Sequence, residues 1–155
     1  MAVIDGDIAS SNDQDRGPPI RSPFTVGHSA GVAGMAETAA RRLGLPERDA
    51  ADVRRAGLLH DLGRFGVPAA VWNKADALTV DEAKRVKEHP SLTELVLARS
   101  SALGHLGTLA GLHHERLDGS GYRSVSAAFQ PVASQVLAVA DAYHTKLEHA
   151  PTAMR

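Results

Sequence analysis

Residues 113–122 read HHERLDGSGY and carry the densest group of chemically active side chains in the sequence. Two adjacent histidines and a carboxylate pass directly into the turn sequence DGSG of residues 118–121. Such a composition is typical of a helix that ends in a tight loop with an exposed backbone. The stretch therefore predicts metal-binding side chains beside a loop that can face a ligand.

Shorter pieces elsewhere in the sequence carry side chains of the same chemistry. In chain order they are His28, the pair His60-Asp61, His89 and Asp141. Apolar residues three and four positions away place His28, His60 and Asp141 on the inward faces of predicted helices. Taken singly, such a histidine is more often a hydrogen-bonded core residue than a ligand. Together with residues 113–122, the set predicts a buried metal centre.

The composition of the 155-residue chain narrows both the fold and the chemistry. Hydrophobic residues make up 43% of the sequence but aromatic residues only 4%, which favours aliphatic side chains packed between helices. A chain of this length is expected to form one domain, here of the all-α class. The absence of cysteine excludes disulfides, thiolate zinc sites and cysteine nucleophiles.

The net charge and the hydropathy pattern indicate whether nucleic acid or a membrane is expected as a partner. A formal net charge of −1 provides no global attraction for nucleic acid or acidic lipid, so an anionic substrate would have to be bound locally. The sequence shows no signal peptide and no apolar run long enough to cross a bilayer. We therefore expect a cytoplasmic protein with neither a nucleic-acid nor a membrane partner.

The sequence predicts an N-terminal arm followed by a helical domain. Residues 1–21 are polar and rich in Gly and Pro, which predicts a flexible arm, and residues 22–155 form the domain. Apolar spacing predicts helices over residues 26–43 and 46–62, and from Pro131 onward.

Three further helices are predicted in the middle of the chain. Residues 79–82 form a capping box for a helix that should end near Glu88. Proline disfavours helical conformation in the residue before it, so we expect the helix to break at His89. Pro90 should then begin a new helix. A later helix is expected to run to His113 and deliver its ring inward.

The ordered ligand pieces, with HHERLDGSGY almost whole, resemble the HD-GYP branch of the HD-domain metal-dependent phosphohydrolases. The resemblance covers about residues 22–141. It implies an HD-domain helical bundle with a metal site at its centre. It also implies a phosphodiesterase that hydrolyses cyclic di-GMP or a related nucleotide phosphodiester.

The resemblance implies two divalent ions that share Asp61. One ion would have the ligands His28, His60, Asp61 and Asp141, and the other Asp61, His89, His113 and His114. Imidazole and carboxylate ligands suit Fe, Mn, Zn, Co or Ni, and their spacing does not choose among these metals. Fe or Mn is expected first, with Zn, Co and Ni as alternatives. The third ion of some family members is not expected, because Phe24 and residues 67–70 offer no ligand there. The other histidines, His105, His144 and His149, are expected at the surface or behind the ligands.

Five residues around the ligands receive roles from the same resemblance. Arg64 stands where the family usually has lysine, and would assist catalysis by binding a phosphate oxygen. Glu115 would orient water or assist proton transfer. Gly119, Gly121 and Tyr122 would present the 115–122 loop to a guanine or to a signalling partner domain.

The sequence also departs from the family pattern. Arg123 follows Gly121-Tyr122 where the family has proline, and Gln135-Val136 replaces the usual Arg-Ile. Residues 150–153 replace a stretch whose arginines meet the phosphates of cyclic di-GMP. The chain stops soon after Asp141, which predicts a shortened domain or one that completes its core as a homodimer.

These departures motivate two alternative functions. In the first, a degenerate HD-GYP domain binds a nucleotide or a partner protein without turnover. In the second, the chain is a general HD nucleotide phosphohydrolase that releases inorganic phosphate from mononucleotides.

Overall fold

The computed structural model describes residues 27–148, and every regular element within that range is helical. The all-α class is therefore confirmed. Three short 3₁₀ segments cover Leu62–Gly66, Gly104–Leu106 and Ala127–Phe129. The α-helices are α1 (His28–Arg42), α2 (Glu47–Leu59), α3 (Ala69–Trp72), α4 (Val80–Leu97), α5 (Gly107–Gly111) and α6 (Val132–Glu148).

The hydrophobic core lies where α1 packs against α2 and α6. Small aliphatic side chains dominate it, as the composition predicts, and they let the helix backbones approach closely. The core residues are Val32, Ala36, Ala40, Ala50, Val53, Ala56, Leu97, Leu106, Ala110, Val136, Leu137 and Ala140.

The predicted break at His89 is wrong, because α4 continues through His89 and Pro90. A proline inside a helix removes one backbone donor, here the one that would bond to the carbonyl of Val86. His89 Nδ1 lies 2.6 Å from that carbonyl oxygen and supplies the missing donor. The predicted capping box at the start of α4 is confirmed, with Thr79 and Glu82 bonded reciprocally.

Two other helix ends differ from the predictions. The helix expected to reach His113 ends at Gly111, so both histidines of the HHE sequence lie in the turn that follows α5. The helix expected to reach residue 62 ends at Leu59, and the chain tightens into a 3₁₀ segment after Asp61. In both places the ligands sit where the backbone leaves the helix.

The rest of the predicted organisation is tested only in part. Residues 1–26 and 149–155 lie outside the described range, and so do the arm of residues 1–21, Phe24 and His149. The division into an arm and a domain therefore stays a prediction. Among the helices of residues 27–148, none has the length and apolar character needed to cross a membrane.

Candidate metal centre

All seven predicted metal ligands lie in the described range, and the fold brings them together. They come from the start of α1, the end of α2, the middle of α4, the turn after α5 and the middle of α6. Their ligand atoms form three overlapping groups in which the atoms lie within 4.8 Å of one another. The groups are His28, His60 and Asp141; His60, Asp61 and His113; and His89, His113 and His114.

Three of the histidines are oriented by the same local contact. In His60, His89 and His113 the Nδ1 atom lies 2.6–2.7 Å from the backbone carbonyl three residues earlier. A carbonyl only accepts, so Nδ1 carries the proton in each ring. In the neutral rings, Nε2 therefore presents a lone pair to the centre of the site.

Those lone pairs meet one another without a donor between them. Nε2 of His89 lies 3.1 Å from Nε2 of His113, although neither neutral ring can donate from that atom. Nε2 of His60 is buried and has no hydrogen-bond partner among the described residues. Buried lone pairs of this kind are costly unless a cation or a donor satisfies them. The side chains present therefore fit a divalent metal.

Two carboxylates complete the ligand set. Asp61 Oδ1 lies 3.4 Å from Nε2 of His89, and Asp61 Oδ2 lies 3.7 Å from Nε2 of His60. Asp141 Oδ1 lies 3.2 Å from Nε2 of His28, and its Oδ2 lies 3.7 Å from Nδ1 of His114. Each carboxylate thus faces a histidine with each of its two oxygens.

The pKa values of these groups preserve the charge states that metal binding needs. Burial alone would raise the pKa of Asp61 and Asp141, but hydrogen bonds and nearby histidines lower both well below the usual range. Burial lowers the pKa of His113, and lowers that of His114 to about 4. Metal binding requires ionised carboxylates and neutral imidazoles, and these groups have both near neutral pH.

The two remaining perturbed histidines lie beside Asp141. The hydrogen bond to Asp141 raises the pKa of His28, although burial acts in the opposite direction. Burial lowers the pKa of His60, but Asp141 and Asp61 outweigh that effect and the net shift is upward. In both rings the carboxylates favour a positive charge at the position where a metal would place one.

Thr93 joins the His60-Asp61 segment to α4. Its hydroxyl donates to the carbonyl of His60 at 2.8 Å and accepts from the N–H of Gly63 at 2.8 Å. A Cβ at Gly63 would lie 1.9 Å from the carbonyl oxygen of His89, so only glycine fits against α4 there. Sequence reasoning missed Thr93, because its partners lie about thirty residues earlier in the chain.

Arg64 lies beside the centre and is already paired. Its Nη1 donates to Asp61 Oδ2 at 3.1 Å, and its guanidinium lies 4.1 Å from the ring centroid of Trp72. Trp72 in turn donates its indole N–H to the carbonyl of Arg64 at 3.2 Å. The arginine is thus positioned at the centre, and its role toward phosphate stays a prediction.

Glu115 lies in a position that its predicted role did not anticipate. Its side chain is buried, and its two oxygens accept the backbone N–H groups of Arg123 and Val125, each at 2.7 Å. A Cβ at Gly121 would lie 2.5 Å from the Cα of Glu115, so this glycine packs directly on it. The contacts indicate that Glu115 fastens the loop after Gly121.

Tyr122 is the loop residue that reaches the metal ligands. Its ring centroid lies 4.5 Å from that of His114 and 6.2 Å from that of His89, and 39% of the residue is exposed. Gly119 has φ +77°, which the Asp118 carboxylate supports by accepting from the N–H of Ser120 at 2.9 Å. The loop therefore offers an aromatic face at the edge of the centre.

The histidines that match no ligand position divide into two kinds. His105 is about half exposed, and its Nε2 lies 3.5 Å from Asp52, away from the centre. Nδ1 of His144 lies 3.3 Å from Nδ1 of His28, directly behind a predicted ligand. Glu148 also reaches His28, at 3.0 Å, and no sequence signal distinguished it from other helix-surface carboxylates.

Comparison with known proteins places the chain in the HD domain family. The pattern that defines the HD domain family matches residues 19–153. The chain is 38% identical over 124 residues to 3'3'-cGAMP-specific phosphodiesterase 3 of Vibrio cholerae, covering 79% of this chain and 27% of that protein. It is 32% identical over 134 residues to a cyclic di-GMP phosphodiesterase of Thermotoga maritima, covering 84% of this chain and 36% of that protein.

A third relative agrees with the first two. The cyclic di-GMP phosphodiesterase response regulator RpfG of Xanthomonas campestris is 37% identical over 124 residues, or 77% of this chain and 32% of that protein. The chain thus spans about a third of the length of these relatives. The resemblance to the HD-GYP phosphohydrolases is confirmed, and the chain belongs to the HD domain family.

Proposed function

We propose that this domain is a metal-dependent phosphodiesterase that opens a cyclic dinucleotide, either cyclic di-GMP or 3'3'-cGAMP. The observation that carries the proposal is the convergence of the Nε2 atoms of His60, His89 and His113 around Asp61. Buried lone pairs that face one another and a carboxylate call for divalent cations. The names of the relatives supply the substrate class.

Two ions are proposed, centred on Asp61. His28, His60, Asp61 and Asp141 would be the ligands of one, and Asp61, His89, His113 and His114 those of the other. When bound, such a pair supplies Lewis acidity and lowers the pKa of a coordinated water. Fe and Mn remain the proposed metals, with Zn, Co and Ni as alternatives.

The chain itself would bind and orient the substrate. Tyr122 presents a partly exposed ring on which a purine base can stack, and Lys87 lies 5.8 Å from that ring centroid. Arg64 is held on Asp61, from which its fork can also reach a phosphate oxygen. Hydrolysis adds water across one phosphodiester: the P–O3' bond breaks and the 3' oxygen leaves with a proton.

The alternative of binding without turnover also has an observation in its favour. Glu115, the predicted proton-transfer group, already accepts two backbone hydrogen bonds and is buried. A partner domain at the 115–122 loop, a homodimer and a cytoplasmic location stay predictions. General mononucleotide phosphatase activity is a further alternative.

One incubation separates these functions. Chain loaded with Mn(II) or Fe(II) is incubated with cyclic di-GMP or with 3'3'-cGAMP, and the products are separated by chromatography. We expect a linear dinucleotide that is absent with Asp61→Ala and still formed with Glu47→Ala, which removes a carboxylate paired with Arg41 on the surface. Binding without product would favour the degenerate domain, and phosphate release from mononucleotides would favour the general phosphatase.

A further inference from the structure

Glu148 and His144 form a contact behind His28, on the side that faces away from Asp141. His28 is 3% exposed, and each of its two ring nitrogens faces a different carboxylate. Nε2 lies 3.2 Å from Asp141 Oδ1, and Nδ1 lies 3.0 Å from Glu148 Oε2. The ring of His28 therefore lies between the Asp141 carboxylate of the candidate metal centre and the Glu148 carboxylate outside it.

We propose that Glu148, supported by His144, is a positioning residue that fixes the ring orientation and the tautomer of His28 for metal binding. The inference rests on the proposed function, since it assigns a role toward the metal of that site. Glu148 belongs to none of the ligand groups that contain Asp61 or Asp141. It would act on the metal only through His28.

His28 makes a different contact from the one that orients His60, His89 and His113. His60, His89 and His113 each donate Nδ1–H to the carbonyl three residues earlier. His28 is the first residue of α1, so the carbonyl three residues earlier belongs to a residue outside the described range. Glu148 Oε2 takes its place: a carboxylate only accepts, so Nδ1 donates its proton to it. Nε2, which faces Asp141, is then the nitrogen that would give up its proton to bind a metal.

His144 contacts both His28 and the same carboxylate, and its Nδ1 lies 3.3 Å from Nδ1 of His28. Its Nδ1 is 3.5 Å from Glu148 Oε1, and its ring packs edge-on against His28 with centroids 5.1 Å apart. A Cβ at Gly31 would lie 2.0 Å from Nε2 of His144, so the absence of a side chain there makes room for the ring. Residues from both α1 and α6 therefore shape the space in which Glu148 meets His28.

The same three side chains could instead bind a separate metal ion, and this alternative predicts a different result in the metal-binding test. His28, His144 and Glu148 have donor atoms close enough to hold an ion of their own. That ion would need Nδ1 of His28 without its proton, while Nε2 binds the main centre. A neutral imidazole has only one such nitrogen, which favours the hydrogen-bonded arrangement.

The test measures Co(II) binding by chelator competition and by visible absorption, in the wild-type chain and four variants. Glu148→Ala removes the acceptor, Glu148→Gln keeps an acceptor oxygen without the charge, and His144→Phe keeps a ring without nitrogen. Glu47→Ala is the matched control, since it removes an exposed carboxylate that pairs with Arg41.

We expect Glu148→Ala to weaken Co(II) binding by roughly 10–100-fold, the usual effect of losing a partner behind a ligand histidine. Its Co(II) absorption should change as well, because the His28 ring is no longer fixed. Glu148→Gln should recover part of the affinity, His144→Phe should lose less than Glu148→Ala, and Glu47→Ala should match the wild type.

Each contrary result has its own meaning. Wild-type affinity and absorption in Glu148→Ala, with metal still bound, would overturn this inference and leave the proposed function standing. Loss of one whole Co(II) equivalent, with the remaining ions bound as tightly as before, would overturn it in favour of a separate ion. Absence of Co(II) from the wild-type chain would overturn the proposed function together with it. If Glu148→Ala does not fold, Glu148→Gln gives the same comparison.

Discussion

Nδ1 of His89 lies 2.6 Å from the carbonyl oxygen of Val86, the acceptor that Pro90 leaves without a backbone donor in α4. The imidazole completes the helix that a proline would otherwise interrupt. In return, the helix fixes the ring so that Nε2 faces Asp61 at 3.4 Å. The continuity of the helix and the orientation of a predicted metal ligand therefore depend on the same contact.

This pairing predicts a coupling between His89 and Pro90. His89→Ala leaves the partly buried Val86 carbonyl without a partner, whereas Pro90→Ala restores an N–H that can bond to it. We expect His89→Ala to cost less free energy of unfolding when Pro90 is also alanine, with a coupling of about 0.5–3 kcal/mol. Denaturant unfolding of the metal-free single and double variants measures it. The control pair His89→Ala with Glu47→Ala should show additive effects on the unfolding free energy. Additive effects for His89→Ala with Pro90→Ala would contradict the prediction.

Replacement of Glu115 by glutamine distinguishes a structural role from a catalytic one. Gln has one acceptor oxygen, so one of the two N–H groups that Glu115 now satisfies would lose its partner. We expect unfolding free energy to fall by about 1–3 kcal/mol, with little change in metal content. Asp118→Asn, an exposed carboxylate of the same loop, is the control. An unchanged stability combined with lost turnover would instead support the proton-transfer role.

The space around two glycines predicts opposite effects of alanine. At Gly121 a Cβ would clash with the backbone of Glu115, whereas at Gly34 nothing lies within 4 Å of it. Gly34→Ala should therefore stabilise α1 by about 0.5–1 kcal/mol, the usual preference for alanine in a helix. Gly121→Ala should destabilise the chain and move Tyr122 away from His114. Thermal unfolding and tyrosine fluorescence report both effects, and a tolerated Gly121→Ala would argue against the close packing.

The start of α4 predicts a dependence of stability on acid. Lys74 is the main cause that lowers the pKa of Glu82 from its usual 4.5 to about 2, and the N–H of Thr79 adds to it. Because the pKa of Glu82 is lower in the folded chain than in the unfolded chain, its carboxylate stabilises the fold at pH values above the unfolded-state pKa. That contribution is lost as pH falls from about 4.5 to 2.

The variant Glu82→Gln isolates this effect, because glutamine preserves the capping box and removes only the charge. We expect its unfolding midpoint to vary less between pH 5 and 2 than that of the wild type, as measured by urea titration at each pH. Identical acid slopes in the two proteins would show that Glu82 does not contribute.

The sequence alone determined the helical class, the order of the ligands and the local caps. These features depend on residues three or four apart, such as Thr79 with Glu82, and physical rules for such short distances are strong. The same reasoning failed at His89, where a general rule about proline met a side chain able to replace the lost donor. A rule based on backbone alone cannot include that compensation.

Tertiary structure decided the contacts between residues that lie far apart in sequence. Glu148 meets His28 across 120 positions, and Thr93 meets the His60 segment across about 30. Such pairs depend on how α1 packs on α6 and how α4 passes the end of α2, which no local pattern encodes. The role of Glu115 was hidden for the same reason, since its acceptors are satisfied only when the loop folds back upon it. Sequence thus named the groups that can bind a metal, and packing decided which side chains orient them.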